Sequence, residues 1–134
     1  MREILFRGKN ESGKWVEGYY VRAVWYLDEQ VTDCIFPIGT TLYPHCEHSG
    51  FESIVPETVG QYTGLTDKNG TKIFEGDILK ANNGHIGWVI FRNGEFVKRC
   101  CCHPNSFNTI FYGDNETVVG NIYDNPELLE GKGA

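Results

Sequence analysis

Short apolar segments rich in Val, Ile, Tyr, Phe and Trp recur about every ten residues along the chain, and clusters of Gly, Asn and Asp separate them. β-Branched and aromatic side chains pack well on a pleated sheet, whereas Gly, Asn and Asp tolerate tight turns. The apolar residues show no sustained helical period, and no unit of fixed length repeats. This pattern predicts a mainly β protein with the architecture of a barrel or a sandwich.

The clearest local pattern is Asn93-Gly94, which lies between the segments Ile86–Phe91 and Glu95–Lys98. The two-residue turn favoured in hairpins needs positive φ at both central residues, and Asn and Gly tolerate this conformation. We therefore expect a β-hairpin here. The other predicted strands are Ile4–Arg7, Trp15–Val21, Val21–Leu27, Val31–Phe36, Thr58–Thr63, Lys72–Phe74 and Ile78–Lys80.

Two segments depart from this strand pattern. Thr40–Val55 is irregular and is predicted to form a long loop or an irregular sheet edge. Near the end of the chain, Asn125 can cap a helix, Pro126 suits its first position and Gly131 can end it. A short helix is therefore expected over about residues 125–131.

The charge balance bears on the kind of partner. Twelve Lys and Arg residues oppose 18 Asp and Glu residues, which gives a formal net charge of -6. The field of such a chain repels phosphate groups, and the largest basic group, Lys98-Arg99, is too short to reverse this locally. Nonspecific nucleic-acid binding is therefore disfavoured, whereas a protein partner is compatible with the charge.

The cysteine content and the hydropathy pattern bear on the compartment. The chain has five cysteines, and the contiguous run Cys100–Cys102 fits no common disulfide framework. No apolar stretch reaches the roughly 18 residues that a membrane span requires, and the start of the chain has no secretory pattern. Reduced thiols, a cytoplasmic location and no membrane association are the expectations.

Three stretches resemble one protein family. Residues 55–78 read VPETVGQYTGLTDKNGTKIFEGDI, residues 119–129 read VGNIYDNPELL, and the chain opens with MREILFR. In these stretches the chain resembles the YopX family of phage and prophage proteins. The resemblance implies a phage or prophage origin and an SH3-like small β-barrel after about Thr58, but it implies no reaction and no functional residue.

Taken with this resemblance, the strand pattern predicts a single YopX-like domain. Additional N-terminal β-strands occupy residues 1–57, the SH3-like barrel covers about residues 58–124, and the short C-terminal helix follows over about residues 125–131. A chain of this length can bury enough surface to form its own core.

One polar group in the middle of the chain has two interpretations. Asp67, Asn69, Glu75 and Asp77 would form an acid/base or metal-binding cluster if folding brought them together, because neighbouring carboxylates shift each other's pKa. The same residue types also suit turns, where Asp and Asn side chains accept hydrogen bonds from nearby backbone N–H groups. We assign these residues a structural role in turns.

Residue types that bind zinc also occur, at Cys34, His45, Cys46, His48, Cys100, Cys101, Cys102 and His103. Their spacing lacks a C-x₂-C pair, and contiguous strand residues point to opposite faces of a sheet. A cysteine nucleophile with a histidine base is a further alternative, but no nucleophile motif is visible. No metal ligand, cofactor-binding residue or catalytic residue is therefore assigned.

The chain contains three Trp, seven Tyr and eight Phe. In a small β protein most of these side chains fill the core. Aromatic side chains left exposed can anchor a protein interface or stack on single-stranded nucleic acid. Because no basic groove accompanies them, we expect a noncatalytic phage accessory protein that binds a host or phage protein. A nucleic-acid-binding small barrel is the alternative, a zinc- or thiol-dependent enzyme is the third reading, and exposed strand edges would also favour a homo-oligomer.

Overall fold

The computed structural model describes residues 4–24, 30–38, 51–100 and 107–129, and it confirms the mainly β class. The chain divides into two compact units, Met1–Gln61 and Tyr62–Ala134. The described strands pair antiparallel throughout. Within the described ranges, no helix is long and apolar enough to cross a bilayer.

The first unit is an antiparallel sheet with strand order β4-β3-β2-β1, and the first two residues of β5 pair with β1. A single 3₁₀ turn, Pro56–Thr58, precedes β5. The strands are β1 Phe6–Lys9, β2 Trp15–Val24, β3 Val31–Pro37, β4 Glu52–Ser53 and β5 Gly60–Thr66, which continues into the second unit.

The strand β2 is continuous where the sequence predicted two strands, Trp15–Val21 and Val21–Leu27. Its first half pairs with β1 and its second half with β3, and Gly18 pairs with residues of both. No turn residue interrupts it, so the described residues of the two predicted segments form one strand, and Val21–Val24 pairs with Val31–Cys34 of β3. Residues 25–29, including the rest of the second predicted strand, lie outside the described part of the chain.

The core of the first unit consists of side chains that alternate along these strands, as a sheet with one buried face requires. Val16, Ile35 and Ile54 are buried together, and three partly buried side chains pack against them: Phe6, Tyr20 and Val59. Most of the predicted irregular segment lies outside the described residues. Its described end forms the two-residue edge strand β4, which pairs with Cys34 and Ile35.

The second unit contains a five-stranded sheet with strand order β10-β9-β8-β7-β11, while β5 pairs with β6. A 3₁₀ turn, Gly113–Asn115, precedes β11. The strands are β6 Lys72–Phe74, β7 Asp77–Ala81, β8 Ile86–Arg92, β9 Glu95–Cys100, β10 Phe107–Thr109 and β11 Glu116–Asn121.

The predicted hairpin at Asn93-Gly94 is confirmed. Asn93 has φ 53° and Gly94 has φ 83°, and Arg92 pairs with Glu95 across the turn. The next pair along the hairpin is Phe91 with Phe96, whose rings pack edge to face with their centroids 4.9 Å apart. Local turn chemistry therefore sets the register of β8 and β9.

The described strands form two antiparallel sheets and no closed barrel, with β10 and β11 at the two edges of the five-stranded sheet. The core of the second unit contains Ile73, Leu79, Val89 and Phe111. At the C-terminal end, the described residues of the predicted helix form a single 3₁₀ turn, Pro126–Leu129.

We expect the substitution Gly18→Ala to destabilise the first unit. A Cβ atom at this position would lie 1.9 Å from the backbone carbonyl oxygen of Phe36, so β2 and β3 would have to separate locally. Overpacking of this kind costs about 1–3 kcal/mol, which thermal unfolding followed by circular dichroism would detect as a lower Tm. The exposed substitution Ser12→Ala is the control, and an unchanged Tm for Gly18→Ala would contradict the close approach.

Candidate functional site

The second unit buries an ion pair between Lys98 on β9 and Glu116 at the start of β11. Lys98 Nζ donates to Glu116 Oε1 at 2.9 Å and to the backbone carbonyl oxygen of His85 at 3.1 Å. Lys98 is 2% exposed and Glu116 is 5% exposed. Burial costs each ion several kcal/mol of hydration free energy. The attraction between Lys98 and Glu116 offsets this cost, so each residue stays buried and charged only while the other is present.

The lysine side chain reaches across the sheet to its partner. Strands β8 and β7 lie between β9 and β11 in the sheet order. In a flat sheet, β9 and β11 would therefore be three strand spacings apart, about 14 Å. The stem of Lys98 passes beside Gly87 on β8, where an added Cβ would lie 3.0 Å from Lys98 Cγ. The same Cβ would lie 2.4 Å from the backbone carbonyl oxygen of Arg99, so the missing side chain at Gly87 chiefly admits the backbone of β9.

The turn between β5 and β6 positions β11, which carries the glutamate. Asp67 Oδ2 accepts a hydrogen bond from the backbone N–H of Val118 at 3.0 Å. The backbone N–H of Lys68 donates to the carbonyl oxygen of Glu116 at 3.1 Å. Two residues of one turn thus hold the segment that presents the buried carboxylate.

Asp67 is itself buried and has the contacts of a turn residue. Its carboxylate also accepts hydrogen bonds from the backbone N–H groups of Asn69 at 2.8 Å and Thr71 at 2.9 Å. Burial alone would raise the pKa of Asp67, but the N–H donors of Val118, Thr71 and Asn69 outweigh it and hold the pKa below its ordinary value. The carboxylate is therefore ionised and structural at neutral pH.

The other members of this polar group also serve turns. Asp77 is buried, and its Oδ2 accepts a hydrogen bond from the backbone N–H of Phe74 at 2.7 Å. Glu75 is half-buried in the same turn, and Asn69 is exposed. In the described ranges, no three His, Cys, Asp or Glu side chains come together as a metal-binding group. The carboxylates of Asp67 and Asp77 therefore have structural contacts with backbone N–H groups.

A cavity of about 450 Å³ opens above the ion pair. Exposed apolar side chains stand on its wall, with Ile110 63% exposed and Tyr112 66% exposed, while the side chain between them, Phe111, is buried in the core. The remaining lining residues are Ala81, Asn82, Asn83, His85, Lys98, Cys100, Thr109, Asn115 and Glu116.

The arrangement suits binding, since it combines convergent polar groups with apolar walls. A lysine ammonium has three N–H donors, and Lys98 uses two of them within the described part of the chain. Glu116 Oε1 accepts from Lys98, and Oε2 accepts no hydrogen bond from any described residue. The cavity therefore presents one donor and one acceptor side by side.

Of the eight candidate zinc ligands named from the sequence, Cys34 and Cys100 fall within the described residues, and His45, Cys46, His48, Cys101, Cys102 and His103 lie outside them. Cys34 is buried on β3 in the first unit, where burial and the Asp33 carboxylate raise the pKa of its thiol. Cys100 is buried on β9 and lines the cavity of the second unit. A raised pKa disfavours the thiolate, so Cys34 lacks the activation that a nucleophile needs.

Sequence reasoning missed the ion pair. Lys98 was treated only as half of the short basic group Lys98-Arg99, and Glu116 was not singled out. The two-residue period of the strand does indicate the buried lysine, because Phe96, Lys98 and Cys100 lie on the same face of β9. A lysine between two apolar side chains on one strand face indicates a buried charge, but its partner could not be found from β9 alone.

Comparison with known proteins bears on the family and on the fold. The YopX protein family matches residues 5–130. A crystal structure of protein EF1440 from Enterococcus faecalis is similar over 97% of this chain and 100% of its own, with 23% identity and a TM-score of 0.58. At this identity the likeness concerns the fold. No curated protein matches the chain.

Removal of the Asp67 carboxylate is expected to lower stability in a pH-dependent way. Because folding lowers the pKa of Asp67, its ionised form stabilises the fold above its unfolded-state value of about 3.9. This stabilisation is lost as the pH falls through the lower folded-state value. We expect Asp67→Ala to cost about 2 kcal/mol at neutral pH and progressively less on acidification.

Thermal unfolding of wild type and Asp67→Ala over a series of pH values measures this difference. The substitution Asp114→Ala, at an exposed aspartate of the same unit, is the control. A destabilisation by Asp67→Ala that stayed constant down to the lowest pH would show that its charge contributes nothing.

The two partners of the ion pair are expected to respond differently to single and double replacement. Lys98→Met leaves the Glu116 carboxylate buried without its cation and should cost about 3–5 kcal/mol. The double variant Lys98→Met/Glu116→Leu replaces the pair by apolar side chains and should unfold close to the wild-type urea concentration. If the double variant were as unstable as the single variant, the pair would be needed for folding itself.

Proposed function

Because the chain belongs to the YopX family, we propose that it is a noncatalytic accessory protein of phage or prophage type that binds a host or phage protein in the bacterial cytoplasm. In this proposal the curled strands of the second unit correspond to an SH3-like barrel that is open between β10 and β11. Its binding surface is the cavity above Lys98 and Glu116.

The observation that carries the proposal is the position of Ile110 and Tyr112. Both side chains are more than half exposed, and both line the cavity whose floor holds the buried ion pair. Protein interfaces commonly combine exposed aromatic or aliphatic anchors with a few convergent polar groups. A protruding segment of a partner would contact the anchors and place one side chain in the cavity.

The charge supports a protein partner over a nucleic acid. The formal charge is -6, and the floor of the cavity contributes one positive and one negative side chain, which cancel. A polyanion gains no counterion release from such a site, whereas a protein segment needs no net positive charge.

A nucleic-acid-binding module is the second candidate, and one feature of the first unit favours it. The ring of Trp15 has the Arg7 guanidinium 4.7 Å and the Lys9 ammonium 5.4 Å from its centroid. Cations beside an aromatic ring are the groups that bind single-stranded nucleic acids. The net charge and the cation–π contacts that already occupy this ring count against it.

Site-specific photo-crosslinking tests the proposal directly. A benzophenone amino acid at Tyr112 is expected to capture one discrete protein in bacterial cells that carry the phage or prophage. The same replacement at Tyr19, a tyrosine of the first unit that is also more than half exposed, is the control and should capture that protein about tenfold less.

Nuclease treatment and an anchor variant complete the experiment. The adduct should survive nuclease, and Ile110→Asp should reduce it because a buried unpaired charge opposes association. Equal capture at both tyrosines, or an adduct that nuclease removes, would contradict the proposal.

A further inference from the structure

We infer that the floor of this cavity recognises a neutral carboxamide, the side-chain group of Gln or Asn, presented by the protein partner. The inference rests on the proposed function for the source of this group. In this inference Lys98 and Glu116 supply the groups that recognise the carboxamide.

The charges at the floor select against an ionised ligand. Lys98 and Glu116 neutralise each other at 2.9 Å, and both are more than nine-tenths buried. A carboxylate entering the cavity would compete with Glu116 for Lys98, and an ammonium would compete with Lys98 for Glu116. Either ligand would leave one buried charge unpaired, which is costly in a low-dielectric site. A neutral group binds beside the pair without breaking it.

The hydrogen-bonding capacity at the floor selects for a carboxamide among neutral groups. The third N–H of Lys98 has no partner among the described residues and can donate to a carbonyl oxygen. Glu116 Oε2 likewise accepts from none of the described residues and can accept from an amide N–H. One carboxamide carries both complementary atoms on adjacent bonds, so it satisfies both groups together.

The size and the walls of the cavity fit a side chain with part of its backbone. A volume of about 450 Å³ lies within the range of about 300–1,000 Å³ typical of ligand sites. Phe111 and Ile110 provide apolar wall for the methylene groups of a Gln side chain. The exposed Asn115 stands at the same cavity and offers an amide to the flanking backbone.

Capped amino acids provide probes of defined chemistry. We would titrate ¹⁵N-labelled protein with N-acetyl-glutamine methylamide and follow backbone amide signals up to about 10 mM probe. The matched probes are the capped forms of glutamate, lysine and methionine, which have similar length and differ at the end group. Free glutamine, with its charged termini, separates a peptide-borne carboxamide from a free amino acid.

The expected result is a saturable shift of cavity residues such as Thr109 and Asn115 by the glutamine probe. The glutamate, lysine and methionine probes should bind about tenfold more weakly or not at all. The double variant Lys98→Met/Glu116→Leu should lose the response while it keeps the dispersed spectrum of a folded protein. Free glutamine binding as tightly as the capped form would assign the site to a small molecule instead of a partner's side chain.

Several outcomes would overturn the inference: no shift with any probe, equal shifts with a charged probe, or an undiminished response in the double variant. The proposed function fails separately. Capture of a protein at Tyr112 without glutamine-probe binding would leave the interaction module standing and remove the carboxamide, whereas the reverse combination would keep the carboxamide and remove the protein partner.

Discussion

The pairing of one buried lysine with one buried glutamate is the interaction on which the floor of the cavity depends. Hydrophobic packing tolerates many arrangements of similar volume, but two buried charges require each other at hydrogen-bonding distance. Lys98 meets this requirement because its side chain passes beside Gly87 on β8 and because Glu116 lies at the start of β11. The pair therefore depends on the register of β8 with β9, which the Asn93-Gly94 turn sets, and on the position of β11, which the turn between β5 and β6 holds.

The turn between β5 and β6 connects this interaction to the most recognisable stretch of the sequence. Asp67 and Lys68 bond to Val118 and Glu116, so the polar turn residues hold the strand that carries the buried carboxylate. The carboxylate of this turn, that of Asp67, thus positions β11 by accepting hydrogen bonds from backbone N–H groups. A structural role for Asp67 is compatible with a binding role for the cavity, because the turn sets the geometry of the cavity floor.

Sequence reasoning reached the parts of the fold that depend on neighbouring residues. Asn93-Gly94 predicts its hairpin because positive φ is a property of those two residues. The prediction divided the continuous strand β2 into two segments. Nothing in the local sequence shows that β2 pairs with β1 up to Gly18 and with β3 from Gly18 onward. The Lys98–Glu116 pair was missed for a similar reason. Its partners are 18 residues apart and come from strands that are not neighbours in the sheet, so only the tertiary structure brings them together.

The central claim is that the ion pair serves recognition and that folding can proceed without it. The most direct measurement is the affinity of the protein captured at Tyr112 for wild type and for Lys98→Met/Glu116→Leu, with stability measured on the same samples. Our account predicts that the double variant keeps its stability and loses about tenfold or more in affinity. Unchanged affinity in a stable double variant would contradict the account, because the pair would then be a replaceable part of the core.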